Sequence, residues 1–223
     1  MDTLHVEEAV EELMKQNDGV NPNSSIPVEQ QLESKRIEYR KLLEFAPIKT
    51  RVTRAMELVE GVIKEKLDTD AYEELVVELA DAADALVESP ENQGKKLGIS
   101  QKNLDLLFTF AQNKLDESAY SDAAALLTLL TVLDRSLFKY WFFLGAALQE
   151  QHDLNEALDA YRQASEIAHE DPLVHIFSAE CYAELNDMQN AHLHLNKAKV
   201  CMQGFEPHSS WQERIVALEA KLM

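Results

Sequence analysis

Hydrophobic and polar residues follow a helical pattern along most of this chain. Apolar positions recur at spacings of three and four over its 223 residues, and no window alternates apolar and polar residues as a half-buried strand would. Gly and Pro, at six residues each, seldom interrupt that pattern. The sequence therefore predicts an all-α protein.

Two clusters of turn-forming residues divide the chain. QNDGVNPNSSIP (16–27) follows a short acidic amphipathic pattern at 3–15, and SPENQGKKLG (89–98) precedes a region of different character. The predicted organisation is an acidic arm with a flexible linker at 1–27, a helical N-terminal region at 28–96 and a C-terminal domain at 97–223.

The N-terminal region is predicted to contain three helices. Pro47 should end the first of them, because the residue before a proline avoids the α conformation. Asp70 stands where an N-cap is expected. The predicted helices span about 28–45, 48–67 and 70–87.

The C-terminal domain contains an internal repeat. The stretch YWFFLGAALQEQ (140–151) places its largest side chains one turn before its smallest. The same order of sizes returns 34 residues later and, more weakly, 34 residues earlier, which gives three repeats over about 104–205. A period of 34 with this pattern is typical of tetratricopeptide repeats, which are pairs of antiparallel helices. The matching sets are Trp141, Leu144, Gly145, Leu148, Ala157, Tyr161 and Ala164; His175, Ser178, Ala179, Tyr182, Ala191, Leu195 and Ala198; and Leu107, Phe110, Ala111, Lys114, Ala123, Leu127 and Leu130.

Small residues explain how each pair can pack. Gly145 and Ala179 are expected at the closest approach of the two helices, with Ala157 and Ala191 facing them. Asp153 and Asp171 are predicted N-caps, the first with Glu156 at N3 and the second followed by Pro172.

A last helix at 209–222 is expected to cover the exposed end of the third repeat, as terminal repeats require. Ser210 and Glu213 have the spacing of a capping box. Ile215, Leu218 and Leu222 supply its apolar face.

Charge and composition narrow the choice of partners. A net charge of −19 argues against nucleic acid as the main partner. The only basic segment, Lys35–Lys66, is either a solvated helix face or a site for an acidic partner. The uncharged stretch 123–133 is too short for a bilayer span of about 20 residues, and the N-terminus lacks signal-peptide features. Stable membrane insertion is not expected, and two cysteines without metal or redox spacing favour the reduced cytoplasm.

No catalytic or metal-binding motif is recognisable. HEDPLVH (169–175) has its two histidines six residues apart with Pro172 between them, so it is not a zinc-protease helix. His192 and His194 point to different helix faces, and Cys181 sits at a core position. No enzymatic activity, cofactor or metal is predicted.

The order of motifs in the repeats resembles one family. AYSDA followed by VLD, the LGA turn at 144–146, and Ala-Glu-Cys at 179–181 after EDP occur as in class II type III secretion chaperones (SycD/LcrH/IpgC-like). The resemblance covers about 97–203. It implies a cytoplasmic bacterial chaperone that binds hydrophobic translocator or effector proteins before export, through an extended segment often of Pro-x-Leu-x-x-Pro type.

The resemblance also implies where the client binds. In a tetratricopeptide unit, positions 2, 5, 9 and 12 of the first helix line a concave groove, and here position 1 is Leu104, Phe138 or Pro172. The apolar members are either groove pockets or packing contacts with a neighbouring helix. The predicted groove residues are Asp105, Phe108, Gln112, Leu115, Lys139, Phe142, Ala146, Gln149, Leu173, Ile176, Glu180 and Ala183.

Two other functions remain open. A general tetratricopeptide adaptor would need cationic carboxylate clamps on the inner stripe, which offers only Lys139. A co-regulator of secretion gene expression would use the basic segment. The acidic helix at 3–15 could dock on the chain's own groove, or on a second subunit, in place of a client, so a homodimer is a further possibility.

Overall fold

The computed structural model describes residues 3–16, 26–88, 97–203 and 209–222, and all regular structure within these ranges is helical. The all-α prediction is confirmed. The chain divides into two compact units, residues 1–50 and 51–223. Residues 17–25 and 89–96, near the predicted boundaries at 27/28 and 96/97, lie outside the described residues, and both boundaries stay predictions.

Eleven α-helical segments are described, and the second continues through a π-helical turn at Val59–Ile63 into the third. They are α1 Thr3–Gln16, α2 Val28–Leu58, α3 Lys64–Lys66, α4 Thr69–Glu88, α5 Gln101–Asp116, α6 Tyr120–Leu133, α7 Phe138–Glu150, α8 Leu154–Ile167, α9 Pro172–Glu184, α10 Met188–Met202 and α11 Ser209–Leu222.

In the first unit, α1 pairs with the beginning of α2 through charges. Glu7 contacts Arg40 at 2.6 Å and Glu11 contacts Arg36 at 2.9 Å, so the two helices run antiparallel. These side chains are about half exposed, and each such pair contributes less than about 1 kcal/mol. Part of the basic segment is thus neutralised by the acidic arm. The linker predicted beside that arm lies largely outside the described residues.

The prediction that Pro47 ends a helix is wrong, because α2 continues through it to Leu58. A proline inside a helix removes one backbone hydrogen bond and costs about 3 kcal/mol, which a long helix can absorb. The regular α-helix ends instead at the π turn that follows Leu58. There the Lys64 N–H donates to the Val59 carbonyl, five residues before it. Asp70 is not the next cap. The Asp68 carboxylate accepts the Ala71 N–H at 2.8 Å instead.

The second unit contains the three predicted helix pairs, α5–α6, α7–α8 and α9–α10. Each pair turns at a residue with positive φ, and these residues are 34 apart: Ser118 (57°), His152 (61°) and Asn186 (60°). The N–H after each of them returns to a carbonyl in the last turn of the preceding helix, as in Ala119 to Lys114 and Asp153 to Leu148. The 34-residue period is therefore present in the backbone.

The close approach predicted at Gly145 is present, but its partner is Tyr161 rather than Ala157. A Cβ on Gly145 would lie 2.5 Å from Tyr161 Cε1. The Tyr161 ring is completely buried, and its hydroxyl donates to Gln149 Oε1 at 2.9 Å. Glycine is required here because the ring occupies the space of a side chain.

Helix caps follow the sequence in part. Asp171 accepts the Leu173 N–H at 2.9 Å, with Pro172 in the first turn, as predicted. Asp153 holds the N-cap position of α8 without a side-chain capping bond. Glu156, its predicted N3 partner, pairs with Arg51 at 2.7 Å instead.

The core of the second unit runs from the end of α2 to α11. Ala55, Leu75 and Leu79 share one hydrophobic cluster with the first two repeats. Ile215 and Leu218 of α11 are buried in a second cluster with residues of α9 and α10, and Leu222 packs beside them, as predicted for a cap. The side chain of Ser210, in the predicted capping box, lies outside the described residues.

Candidate peptide-binding groove

The strongest predicted apolar anchors are less accessible than the sequence suggested. Phe108 and Phe142 are each 8% exposed and Ile176 is 0% exposed. Phe142 packs its ring against those of Phe138 and Phe177, at centroid distances of 5.6 and 5.2 Å. A peptide would reach these position-5 side chains only at their edges, and Ile176 only after its neighbours move.

The next position along the inner helices α7 and α9 is more open, the sequence analysis missed it, and the final helix α11 continues its spacing. Phe143, Phe177 and Trp211 are spaced by 34 residues on α7, α9 and α11, and each is half-buried. Their position, 6, lies four residues after position 2 and three before position 9, so it shares a helix face with both. The equal spacing of three aromatics was the available signal. We call these three residues the aromatic row.

Other predicted groove residues provide smaller or polar surfaces. Ala183 is buried. Four members are half-buried on the same three helices as the anchors and leave part of their side chains accessible: Gln112, Leu115, Ala146 and Leu173.

The charged groove residues at one end are tied together. Lys139 Nζ lies 3.3 Å from Asp105 Oδ1 and 4.5 Å from the centre of the Phe108 ring. Asp105 also accepts from Gln101 Nε2 at 3.0 Å. The one lysine of the predicted stripe thus sits on an aromatic face beside a carboxylate.

At the other end, a polar chain crosses three inner helices. Tyr161 donates to Gln149, which donates to Glu180 at 3.2 Å. Arg214 of α11 then donates two hydrogen bonds to the Glu180 carboxylate, both 2.8 Å. This fork holds the pKa of Arg214 above its usual value. The sequence analysis did not include Arg214 in the groove.

The cysteine of α9 in the third repeat lies in the core rather than on this surface. Cys181 is completely buried, and burial raises the pKa of its thiol to about 12, so the thiolate is scarce at neutral pH. Among the described residues, no group of three His, Cys, Asp or Glu side chains is arranged to hold a metal. No helix in the described part of the chain is long and apolar enough to cross a bilayer.

A pair of histidines lies between the two helices of the third repeat, His175 on α9 and His194 on α10. The rings of His175 and His194 lie 5.4 Å apart, and each has a buried Nδ1 without a hydrogen-bond partner among the described residues. Burial lowers the pKa of His194 to about 4 and lowers that of His175 as well. Both rings are therefore neutral at physiological pH.

Three helix pairs in one 34-residue register, lined on one side by aromatic and polar residues, define a tetratricopeptide-repeat protein. The chain matches no protein-family model and no curated protein sequence.

Solved structures of type III secretion chaperones share this fold. PcrH of Pseudomonas aeruginosa, in complex with the chaperone binding region of PopD, is 26% identical over 56% of this chain and 94% of its own, with a TM-score of 0.53. The translocator chaperone SycD of Yersinia enterocolitica is 24% identical over 55% of this chain and 92% of its own, with a TM-score of 0.52. The resemblance to class II type III secretion chaperones indicated by the sequence is confirmed.

Proposed function

We propose that this chain is a chaperone of the type III secretion pathway that holds hydrophobic translocator proteins before export. It binds an extended client segment along the inner helices α5, α7 and α9. The observation that carries the proposal is the series of half-buried aromatic and apolar side chains on those helices. Structures of PcrH with PopD and PopB regions, and of SycD with a YopD peptide, support it.

The physical task fits this surface. Membrane-active helices of a translocator expose apolar side chains that aggregate in water. A rigid repeat surface can bury a few of them, while the backbone of the extended segment pairs with polar groups such as Gln112. Binding alone suffices for this task, so we propose no enzymatic activity, and the site of action is the bacterial cytoplasm, where clients reside before export.

The adaptor alternative is less well supported. A carboxylate clamp needs cations free to receive a peptide C-terminus. Lys139 is paired with Asp105, and Arg214 gives two hydrogen bonds to Glu180. Displacing either would take the cationic partner away from a carboxylate.

The co-regulator alternative loses much of its basic surface. Arg36 and Arg40 pair with acidic residues of α1. Arg51 pairs with Glu156, and Arg54 with Asp122. These arginines are occupied by the chain's own carboxylates.

A charge placed in the groove tests the proposal. Ala146→Glu adds a carboxylate at position 9 of α7, where the third repeat already carries Glu180, so the helix should tolerate it. Asn196→Glu, on the exposed face of the outer helix α10, is the matched control. The full chain is purified from its native cell, and bound proteins are identified by mass spectrometry. We expect a hydrophobic secreted client with the wild type and the control, and its loss with Ala146→Glu.

Two results would contradict the proposal: no secreted client with the wild type, or full capture by Ala146→Glu with an unchanged melting temperature. The double change Phe108→Ala with Phe142→Ala is a weaker probe, because both rings are buried and their loss should also destabilise the fold.

A further inference from the structure

The final helix α11 keeps the register of the repeats. Adding 34 to Phe177, Glu180 and Cys181 gives Trp211, Arg214 and Ile215. Ile215 is 8% exposed and packs in the same cluster as buried residues of α9 and α10. The helix therefore occupies the place that the inner helix of a fourth unit would take.

The contact between α9 and α11 joins the same kinds of side chain as the contact between α5 and α7. At the first, Arg214 pairs with Glu180 and lies 4.1 Å above the Phe177 ring. At the second, Lys139 pairs with Asp105 and lies 4.5 Å above the Phe108 ring. In both, the cation comes 34 residues after the carboxylate and covers an aromatic ring three residues from it, although the ring precedes the carboxylate on α9 and follows it on α5. The two contacts therefore use the same kinds of side chain at different positions of the helix.

We propose that α11 is a binding helix as well as a cap, and that it extends the client groove through Trp211. This inference rests on the proposed function. The occupant is an extended apolar segment of a translocator, and the argument for it is continuity: the aromatic row runs from Phe143 through Phe177 to Trp211 without a change of spacing. Arg214 is a positioning residue, because it joins α11 to Glu180 beside Phe177.

The extension sets the length of the client segment. Packed helices lie about 9 Å apart, so a path across four inner helices covers roughly 27 Å. An extended chain advances about 3.3 Å per residue, which makes about eight or nine residues the shortest segment that reaches Trp211. Its apolar anchors should recur about every third residue.

Affinity for a defined probe tests the role of Trp211. The probe is the chaperone binding region of PopD, labelled with fluorescein and titrated with the full chain. Trp211→Ala should weaken binding about tenfold or more, as expected for an aromatic anchor. Val216→Ala is the control, because Val216 is on the same helix and 62% exposed. It should leave the affinity unchanged.

Fluorescence separates contact from a structural effect of the substitution. Trp141→Phe leaves Trp211 as the only tryptophan, and the Trp141 indole is engaged with the Arg135 carbonyl at 3.0 Å. Saturation with the probe should shift the Trp211 emission to shorter wavelength and reduce its quenching by acrylamide. A probe shortened at either end in turn should reveal one end whose loss weakens the wild type but not Trp211→Ala.

The possible outcomes distinguish the extension of the groove from the proposed function. Unchanged affinity of Trp211→Ala together with unchanged Trp211 emission would end the groove at α9 and overturn this inference, while leaving the proposed function intact. Failure of the wild type to bind the probe, with its fold intact, would count against the proposed function itself and against the extension that depends on it.

Discussion

The second and third repeats have the same backbone turns, but different side chains pack between their two helices. In the second, Gly145 lies under the Tyr161 ring. The equivalent residues of the third repeat are Ala179 and Leu195, and these are buried too. The first repeat, with Ala111 and Leu127, agrees with the third. The larger residue on the second helix of the pair, Tyr161, thus occurs with the smaller residue on the first helix, Gly145. This indicates that the two residues together fit the space between the helices.

A second pair of positions separates the same two repeats. His175 and His194 of the third repeat correspond to Trp141 and Ala160 of the second. The second repeat fills this space with one large ring and one small side chain, whereas the third uses two imidazoles of intermediate size. The third repeat therefore contains a buried titratable pair where the second has none.

The largest expected effect comes from overfilling the tight contact. Gly145→Leu would drive a side chain into the Tyr161 ring, because even a Cβ would lie 2.5 Å from it. We expect a loss of about 3 kcal/mol in the free energy of unfolding, measured by thermal and urea denaturation. Ala179→Gly, at the equivalent position of the third repeat, is the control and should cost about 1 kcal/mol. Equal melting temperatures for Gly145→Leu and the wild type would show that the helix pair is not packed as described.

The histidine pair should make the third repeat sensitive to acid. Because the pKa of His194 falls from 6.5 to about 4 on folding, the unfolded chain binds more protons between these values, and stability declines as the pH drops from about 6.5 toward 4. The charges around the pair are Asp159, Arg162, Glu166, Asp171 and Lys197.

Replacing His194 should reduce this pH dependence. We expect the loss of unfolding free energy between pH 6.5 and pH 4 to be smaller in His194→Gln than in the wild type, by on the order of 2 kcal/mol. Urea denaturation at each pH measures it. His192→Gln, on the exposed face of the same helix, should keep the wild-type slope. Parallel pH profiles for all three proteins would show that folding does not lower the pKa of His194.

The sequence predicted the repeats well because their signal is periodic and local. Small and large residues recur every 34 positions, and each helix pair forms mainly through contacts within that distance. It did not predict that Tyr161 rather than Ala157 covers Gly145, because side-chain direction depends on how the two helices are rotated. Pro47 was misread for a different reason. A proline lowers the helix propensity of its neighbourhood, but a long helix can carry that local cost.

The exposure of individual groove candidates was predicted less well than the fold. Positions 2, 5, 9 and 12 place these candidates on α5, α7 and α9, but their exposure depends on the neighbouring inner helix. Phe108 is buried partly by Phe143 of the next repeat, at 5.4 Å, and such a contact cannot be read from one helix alone. The bond from Arg214 to Glu180 was not predicted, because α11 was interpreted only as a cap.

Exchanging the matched pair tests the comparison directly. Gly145→Ala combined with Tyr161→Leu gives the second repeat the residues of the other two. Gly145→Ala alone should be destabilising because of the clash, and Tyr161→Leu alone because it leaves a cavity and removes a hydrogen bond. The double variant should be more stable than the sum of the single changes predicts, by about 1–2 kcal/mol. Strict additivity in denaturant unfolding would mean that the two positions are not coupled.

The smallest expected difference concerns the turns. Asp187 accepts the Asn190 N–H at 3.1 Å and its side-chain amide at 2.7 Å, whereas Asp153, at the same position of the second repeat, makes no side-chain capping bond. The first repeat has Ala119 there, which shows that the position tolerates a residue without a cap. Asp187→Ala should therefore lower the melting temperature by about 2–4 °C, the usual consequence of losing an N-cap in a chain of this size. Asp153→Ala should lower it by less, and differential scanning calorimetry of the two variants at pH 7 distinguishes them.

The hydrogen bonds that Asn190 donates to Asp187 also lower the pKa of Asp187, so their contribution is present at neutral pH and is lost in acid as the carboxylate is protonated. The gap between the two variants should accordingly close as the pH falls through that lowered pKa. A gap that is absent at pH 7, or that persists unchanged in acid, would show that the Asp187 carboxylate does not stabilise α10.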